Sequence, residues 1–430
     1  MLLESSTAVL LESSTAMADF VLSDDQKRQL YHDGFLVVKG ILPPELTHRA
    51  REAILEQEAS ALGATDTVGR KTLGRPMLNP PPGFKDPLFP KPEALTDLVN
   101  RSPVTPMLED LFGPFQAPDA CQLAWKPRAP AADAAGTYGG AYSVSGHKEA
   151  DMPYFGAWPH LDGQCGLTIA QEPVAGTRDE VYDFLVNSGP KGDAHGRSAD
   201  TVGNQFHPLF MDKEMTNSVG SFTTFLIACL SPQMQEGCGQ TGVLKGSHHL
   251  SARFFREQRD AGGKLGPEGY GWPRFNHDSP NHCGMVGIPP AMQEELCDLG
   301  GEWEETPDGT RWPKPVQPLM DVGDAVIVLY HCCHTGTRNE LGPESRKSCI
   351  FRIRAEAHLP GGPRIDQCGQ NDHPDRGYYD GEWLDFSGVD MDPFERSKHL
   401  LCHPWEVWSG MQSIVEEEQA KESQSAIAKL

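Results

Sequence analysis

The chain has 430 residues, 38% of them hydrophobic, with 44 Gly, 36 Pro and a net charge of −23 from 60 acidic and 37 basic side chains. That length suits one large domain with insertions or two modest ones, and the composition excludes a helical bundle and a disordered chain. The acidic field repels nucleic acid and anionic membranes, so neither is expected as a partner, and its plainest role is solubility.

Leu2 to Ala8 reads LLESSTA, and Leu10 to Ala16 repeats it directly before Met17. Residues 1–16 are therefore expected to be a non-structural extension, with the working chain starting at Met17. Glu4 and Glu12 stand where a signal peptide carries Lys or Arg, and no apolar run reaches the roughly 18 residues of a spanning helix. With 11 Cys, an odd count without regular spacing, reduced thiols inside a cell are expected.

Ser23-Asp24-Asp25-Gln26 has the form of a capping box and predicts a helix to about Asp33, ended by Gly34. Phe35 to Val38 reads as a first strand, and Pro43-Pro44-Glu45 opens a second helix, so 23–62 is a helical entry region. Gly74 to Pro92 is Pro-rich and irregular, Ala120 to Lys126 alternates like a strand, and Ala129 to Ala150 reads as a Gly-rich loop. Ser221 to Leu230 and Ala325 to Tyr330 are continuous apolar, β-rich runs, hence buried strands; Val243 to His248 is a short strand into a turn, and Ser348 to Ala355 closes the series. Short strands between Gly and Pro turns argue for a mainly β fold, a sandwich or jelly roll with flanking helices. The expected division is one domain over 17–408, with an insertion at about 253–318 from Arg253 to Pro318, and an exposed helical or disordered tail over 409–430 around Glu416-Glu417-Glu418.

The chemistry-bearing text is Trp158-Pro159-His160-Leu161-Asp162-Gly163 and, far downstream, His331-Cys332-Cys333-His334-Thr335-Gly336. His160 and Asp162 lie on one face of an extended segment, because strand side chains alternate. A second His from another strand, His331 or His334, completes two imidazoles and one carboxylate, the set that holds Fe(II) on one face and leaves other positions open. Zinc bound by His331, Cys332, Cys333 and His334 is rejected, since four consecutive positions at a strand end do not converge.

Five stretches resemble the phytanoyl-CoA dioxygenase family of Fe(II)/2-oxoglutarate oxygenases: Leu22 to Leu42 (LSDDQKRQLYHDGFLVVKGIL), Gln122 to Pro127 (QLAWKP), His160 to Gly163 (HLDG), Gly242 to His248 (GVLKGSH), and His334 to Asn339 (HTGTRN) with Arg346 beyond. Lys245 replaces the family's usual Pro, and the gap between His160 and His334 is long for the family. The resemblance implies a double-stranded β-helix, a cupin-like jelly roll, with long insertions. It also implies His160, Asp162 and His334 as metal ligands, His334 being preferred over His331 because Asn339 follows it in the family's spacing. Arg346 would hold the distal carboxylate of 2-oxoglutarate, with Ser348 on the same strand face and Gln122 from a neighbouring strand; Arg352 and Arg354 are the alternative anchors.

The cofactors so implied are Fe(II), 2-oxoglutarate as co-substrate, O2, and ascorbate as a supporting reductant. The activity implied is hydroxylation of an unactivated C–H of a small organic molecule, with release of succinate and CO2. Halogenating relatives lack the carboxylate that Asp162 supplies. The substrate stays open among acyl-CoA, lipid-like and secondary-metabolite classes; Arg70, Lys71 and Arg75 form the one basic cluster suited to a nucleotide. A cupin-like metalloenzyme that uses no 2-oxoglutarate, and a non-catalytic jelly-roll binding protein, are the competing readings. Ala428-Lys429-Leu430 resembles the Ser-Lys-Leu peroxisomal address, so a cytoplasmic and a peroxisomal location are both expected. The oligomeric state is not legible.

Overall fold

The structure is a computed structural model that describes residues 20–63, 93–118, 121–126, 128, 160–162, 222–261, 285–287, 290–299, 301–305, 311–358 and 400–428. For Gln122, His160 and Asp162 it describes the backbone. The extension 1–16, Met17, the stretches 74–92 and 129–150, Arg70, Lys71, Arg75, Lys429 and Leu430 lie outside the described residues.

Helix α1 (Asp24–Asp33) starts as its sequence requires: Gln26 N–H donates to Ser23 Oγ at 3.3 Å, and Ser23 N–H donates to Gln26 Oε1 at 2.9 Å. Gly34 ends it at φ 79°, donating its N–H to the Leu30 carbonyl. Strand β1 (Phe35–Val38) follows, then α2 (Pro44–Gly63), α3 (Glu93–Asn100) and α4 (Val104–Phe112). The remaining elements are β2 (Gln122–Lys126), β3 (His160–Asp162), β4 (Thr224–Cys229), β5 (Thr241–Val243), α5 (Ser247–Ala261), β6 (Met285–Gly287), α6 (Pro290–Asp298), β7 (Trp303–Glu305), β8 (Arg311–Pro313), β9 (Ala325–Leu329), β10 (His334–Gly336), β11 (Arg346–Ile353) and α7 (Gln412–Ala428).

Two antiparallel sheets and a separate β7–β8 hairpin result: a five-stranded sheet in the order β1-β9-β4-β11-β2 and a four-stranded sheet in the order β5-β10-β3-β6. Strands β4 and β9 sit inside the first sheet and are buried at every position, which is why both read as unbroken apolar runs. One face of that sheet, with Leu226, Ile327, Phe351 and Ile353, packs under α1 to α4 and α7 through Leu30, Ile54, Leu98, Leu108 and Ile414. The opposite, inner face carries Phe225, Ile227 and Val328, which join Leu161 and Val243 of the second sheet and Phe255 of α5 in another cluster. Mainly antiparallel β with flanking helices is therefore the architecture. Among the described residues, no helix is long and apolar enough to cross a membrane.

Two expectations are corrected. The start of the expected tail is not exposed: α7 is helical, as one of the two alternatives had it, and buries Ile414 and Val415 to 2% and 6% exposure, beside Met411 and Trp408 at 0%, while residues 419–425 are exposed. Arg28 reaches Glu417 at 3.0 Å and His32 reaches Glu418 at 3.1 Å. Solvent reaches one partner of each pair and screens it, whereas burying an aliphatic side chain contributes about 1.5–3 kcal/mol, so apolar burial docks this helix. The run of Glu between the two apolar clusters hid that face. The insertion at 253–318 likewise cannot begin at Arg253, because α5 spans that point and its Phe255 is wholly buried in the inter-sheet core.

At the entry to β9, Gly323 turns the chain at φ 102°. Asp324 then accepts hydrogen bonds from Lys39 Nζ (2.9 Å), Gly40 N–H (2.8 Å) and Asp321 N–H (2.7 Å), tying the exit of β1 to this turn. Burial pushes its carboxyl upward, but the donors from Asp321, Lys39 and Gly40 outweigh burial and hold it below the usual aspartate value.

Gly34 is also a point of close approach: a Cβ there would lie 2.5 Å from His248 Nδ1 and 2.9 Å from Cys332 Sγ. Gly34→Ala is expected to lower stability by about 2–4 kcal/mol, combining a left-handed backbone with overpacking. The check is a drop in urea midpoint at unchanged m-value. For Asp324, a depressed folded pKa contributes stability above the ordinary aspartate value that is lost as pH falls through the lower folded value. The stability gap between wild type and Asp324→Asn is therefore expected to be full at pH 7 and to close with acidification below about 4, as read by thermal melts across that range.

Candidate metal centre

Strand β10 is three residues long and is placed by the turn before it. Cys332 N–H donates to the Leu329 carbonyl at 2.9 Å, Cys333 N–H donates to Ser247 Oγ at 2.8 Å, and Leu244 N–H donates to the Cys333 carbonyl at 2.8 Å. Ser247 belongs to the Lys245-Gly246-Ser247-His248 turn, so this turn is a buttress for β10. Lys245, the departure from the family's Pro, pairs with Asp33 at 2.9 Å, and Gly246 N–H donates to the Asp33 carbonyl, so the turn is tied to the end of α1. His248 is fully buried and donates Nε2–H to the Tyr31 carbonyl at 2.7 Å; burial holds its pKa well below the usual histidine value, so it is neutral.

The ladder places His334 directly opposite His160, and Asp162 lies two positions along β3. Opposed positions in an antiparallel pair share a sheet face, as do positions two apart on a strand, so 160, 162 and 334 occupy one face. His334 is 9% exposed and its ring stands edge-on to Phe225 at 4.9 Å. Its Nδ1 lies 3.3 Å from the Cys332 carbonyl, an acceptor, so Nδ1 is the donating nitrogen. A backbone carbonyl on the far nitrogen is how metal-binding imidazoles are commonly oriented, and two imidazoles with one carboxylate are a residue combination whose chemistry suits Fe(II).

His331 goes elsewhere. Its Nε2 donates to the Leu401 carbonyl at 3.0 Å and its ring lies between Tyr330 and Phe255, in a small cavity lined also by Phe222 and Leu401. Cys332 and Cys333 are buried, and burial pushes both thiols upward, Cys333 to about 12. Among the described residues, no three His, Cys, Asp or Glu side chains converge, so the rejected zinc cluster does not form.

Along β11, Cys349, Phe351 and Ile353 face the helices whereas Ile350 packs on the inner cluster. Alternation therefore puts Arg346, Ser348 and Arg352 on the inner face, with Gln122 opposite Ile350 in the ladder. Arg346 is 8% exposed and donates Nη1–H to Thr241 Oγ1 at 3.3 Å, crossing from one sheet to the other. Thr241 is opposite Gly336, two residues beyond His334. Ser348 is fully buried and accepts from Gln233 Nε2 at 3.4 Å. Asn339 shapes the turn leading into Arg346 by donating Nδ2–H to the Glu344 carbonyl at 2.9 Å. Arg354 lies past the end of the strand, 5% exposed.

Sequence reasoning missed Thr241, Gln233 and Ser247. Thr241 stands one residue before the GVLKGSH stretch, and the signal available was the need of an interior guanidinium for an oxygen partner.

No family model and no curated protein matches the chain. Solved structures do resemble it. HygX from Streptomyces hygroscopicus with nickel and 2-oxoglutarate bound is 14% identical with a TM-score of 0.35, covering 82% of this chain and 99% of HygX. The same protein with iron bound is 14% identical with a TM-score of 0.34, covering 78% and 87%. AviO1 from Streptomyces viridochromogenes Tue57 is 12% identical with a TM-score of 0.34, covering 80% and 99%. At these scores the likeness assigns the chain to no family and carries no activity to it.

Proposed function

We propose that this chain is an Fe(II)- and 2-oxoglutarate-dependent oxygenase on a double-stranded β-helix, of the phytanoyl-CoA dioxygenase type, that hydroxylates an unactivated C–H of a small organic molecule. The observation that carries the reading is the β3–β10 register, which sets position 160 opposite 334 with 162 on the same face, while Arg346 reaches the same strand at Gly336 through Thr241.

His160, Asp162 and His334 would hold the metal. Fe(II) held there would supply the activation of O2, chemistry that no side chain provides. The Cys332 carbonyl accepts from Nδ1 of His334, which would leave Nε2 to meet the metal. Phe225 packs against that ring and excludes water from its flank. The Arg346 guanidinium offers a planar fork to the distal carboxylate of 2-oxoglutarate, a geometry Lys cannot supply. Thr241 aims that fork, and Ser348 on the same strand face, with Gln122 at the register position opposite Ile350, would add polar contacts to the co-substrate. Gly336, the partner of Thr241, is two strand positions from His334, so the anchor and the metal position share one end of the sheet. Asp162 in the ligand set favours hydroxylation over halogenation.

Anaerobic titration of the Fe(II) protein with 2-oxoglutarate is expected to raise a visible metal-to-ligand charge-transfer band, absent in His160→Ala. Tight iron without a band would favour a cupin-like enzyme using no 2-oxoglutarate, and no iron binding would leave a binding protein. In the same titration, Arg346→Ala is expected to weaken 2-oxoglutarate by roughly ten- to a hundredfold, the worth of a hydrogen-bonded charge. Thr241→Val should weaken it by only about three- to tenfold, with the saturated band unchanged, because the hydroxyl positions Arg346 and does not replace it.

A further inference from the structure

Two polar residues on the inner face of β11, Arg346 and Ser348, meet partners from a single loop, the stretch from Ser231 to Thr241. At its far end Thr241 accepts from Arg346, and near its start Gln233 donates Nε2–H to Ser348 Oγ at 3.4 Å. Gln233 is wholly buried, and its backbone is held by a pair of hydrogen bonds with Met320, at 2.9 and 3.0 Å. Between these two contacts Gln240 stiffens the loop. Its side chain donates to the Gln235 carbonyl at 2.6 Å and accepts from Cys238 N–H at 3.0 Å.

Which way round the Gln233 amide sits follows from Cys229, the residue opposite Ser348 in the β11–β4 register. The Cys229 thiol is wholly buried, and burial pushes it up to about 12, so it keeps its proton and donates it to the Ser231 carbonyl at 3.1 Å. Its sulfur is then left as an acceptor. Gln233 Nε2 meets that sulfur at 3.0 Å and the Ser231 carbonyl at 3.4 Å. A reversed amide would set its oxygen against both of these acceptors, so the NH2 end faces them and Ser348 Oγ together. Holding this orientation leaves Gln233 Oε1 buried with no partner among the described residues. A hydroxyl has one proton and two lone pairs. With Gln233 on a lone pair, the Ser348 O–H is left to donate, and among the described residues no acceptor takes it.

We propose that Gln233 is a positioning residue for the co-substrate: by donating to Ser348 Oγ it makes the Ser348 hydroxyl a donor to the distal carboxylate of 2-oxoglutarate, beside Arg346. The inference rests on the oxygenase reading of the site. A carboxylate only accepts, so every group that receives it must donate. A guanidinium always donates, whereas a serine does so only while its proton is not spent on another acceptor. Gln233 keeps it unspent. Ser348 is two positions from Arg346 on one strand face, and the Arg346 charge is among the groups that act on the Cys229 thiol, so hydroxyl and guanidinium belong to one cluster.

The test is the anaerobic titration of the full-length Fe(II) protein with 2-oxoglutarate, read by the charge-transfer band, in wild type, Ser348→Ala, Gln233→Met and the double variant. Ser348→Ala is expected to raise the Kd for 2-oxoglutarate about tenfold, and Gln233→Met about three- to tenfold. The double variant is expected to bind no more weakly than Ser348→Ala alone, because Gln233 acts through the hydroxyl already removed. The saturated band is expected to keep its position throughout, since neither residue is a metal ligand. Thermal melts separate lost binding from lost fold. Cys229→Ala frees the Gln233 amide to turn over and take the Ser348 proton, so it carries the test if Gln233→Met does not fold. Its expected effect is a rise in Kd of about two- to fivefold that disappears in the Ser348→Ala background. The proposal is overturned if folded Gln233→Met or Ser348→Ala binds 2-oxoglutarate undiminished. It is also overturned if the two losses multiply in the double variant, as a general loosening of the loop around Thr241 would make them. A folded wild type that holds Fe(II) and gives no band defeats the oxygenase reading and this inference together, whereas a band with multiplying losses defeats the inference alone.

Discussion

Gly34, the Ser247-His248 pair and the Cys332-Cys333 pair meet at one junction, and the placement of β10 depends on it. The end of α1 has no Cβ there, so the His248 ring and the Cys332 thiol close over the glycine. Ser247 then receives the Cys333 amide, and the Cys333 carbonyl receives the Leu244 amide. These bonds are made in a buried setting where an unmet amide costs about 1–3 kcal/mol, so the turn has little freedom to relax. Because β10 is only three residues long, any slip in that turn would move His334 off its partner His160. A one-residue slip would take it to the other face of the sheet.

The same logic separates what could be read in the sequence from what could not. Central strands β4 and β9 are buried on both faces, so their patterns are unbroken and their places plain. The capping box of α1 and its terminal glycine are local devices with local signatures. The ligand candidates were legible as motifs, and the inner-face placement of Arg346, Ser348 and Arg352 follows from alternation once β11 is known. Contacts between distant segments were not legible. Thr241 supports Arg346 across two sheets, Ser247 supports Cys333 across 86 residues of chain, and α7 docks by a face interrupted with glutamates. Nothing in the local pattern at either end of such a contact encodes the other.

Strand β11 concentrates positive charge in an acidic protein. Arg346, Lys347, Arg352 and Arg354 fall within one short stretch, and each has a different environment. Lys347 faces the helices and pairs with Glu344 at 3.1 Å, an acid that Arg51 also meets at 2.6 Å, so its charge is neutralised within the fold. Arg346 and Arg352 face inward, one donating to the Thr241 hydroxyl and one lying over the Phe222 and Phe225 rings. Period-two alternation thus sorts one basic strand into a cation on the helix side and cations on the inner face.

The pairing of β1 with β9 has a consequence for biosynthesis. Val38 finds its partner at Ala325, so the strand cannot be paired until nearly three hundred further residues have been made. At ribosomal rates that interval is on the order of tens of seconds, and for all of it an apolar strand waits with its hydrogen-bonding edge unmet. Contacts this remote in sequence make for slow folding after release as well. A cell producing this protein must therefore shield the nascent Phe35-Leu36-Val37-Val38 segment, and heterologous yield will follow chaperone capacity more closely than the stability of the finished fold.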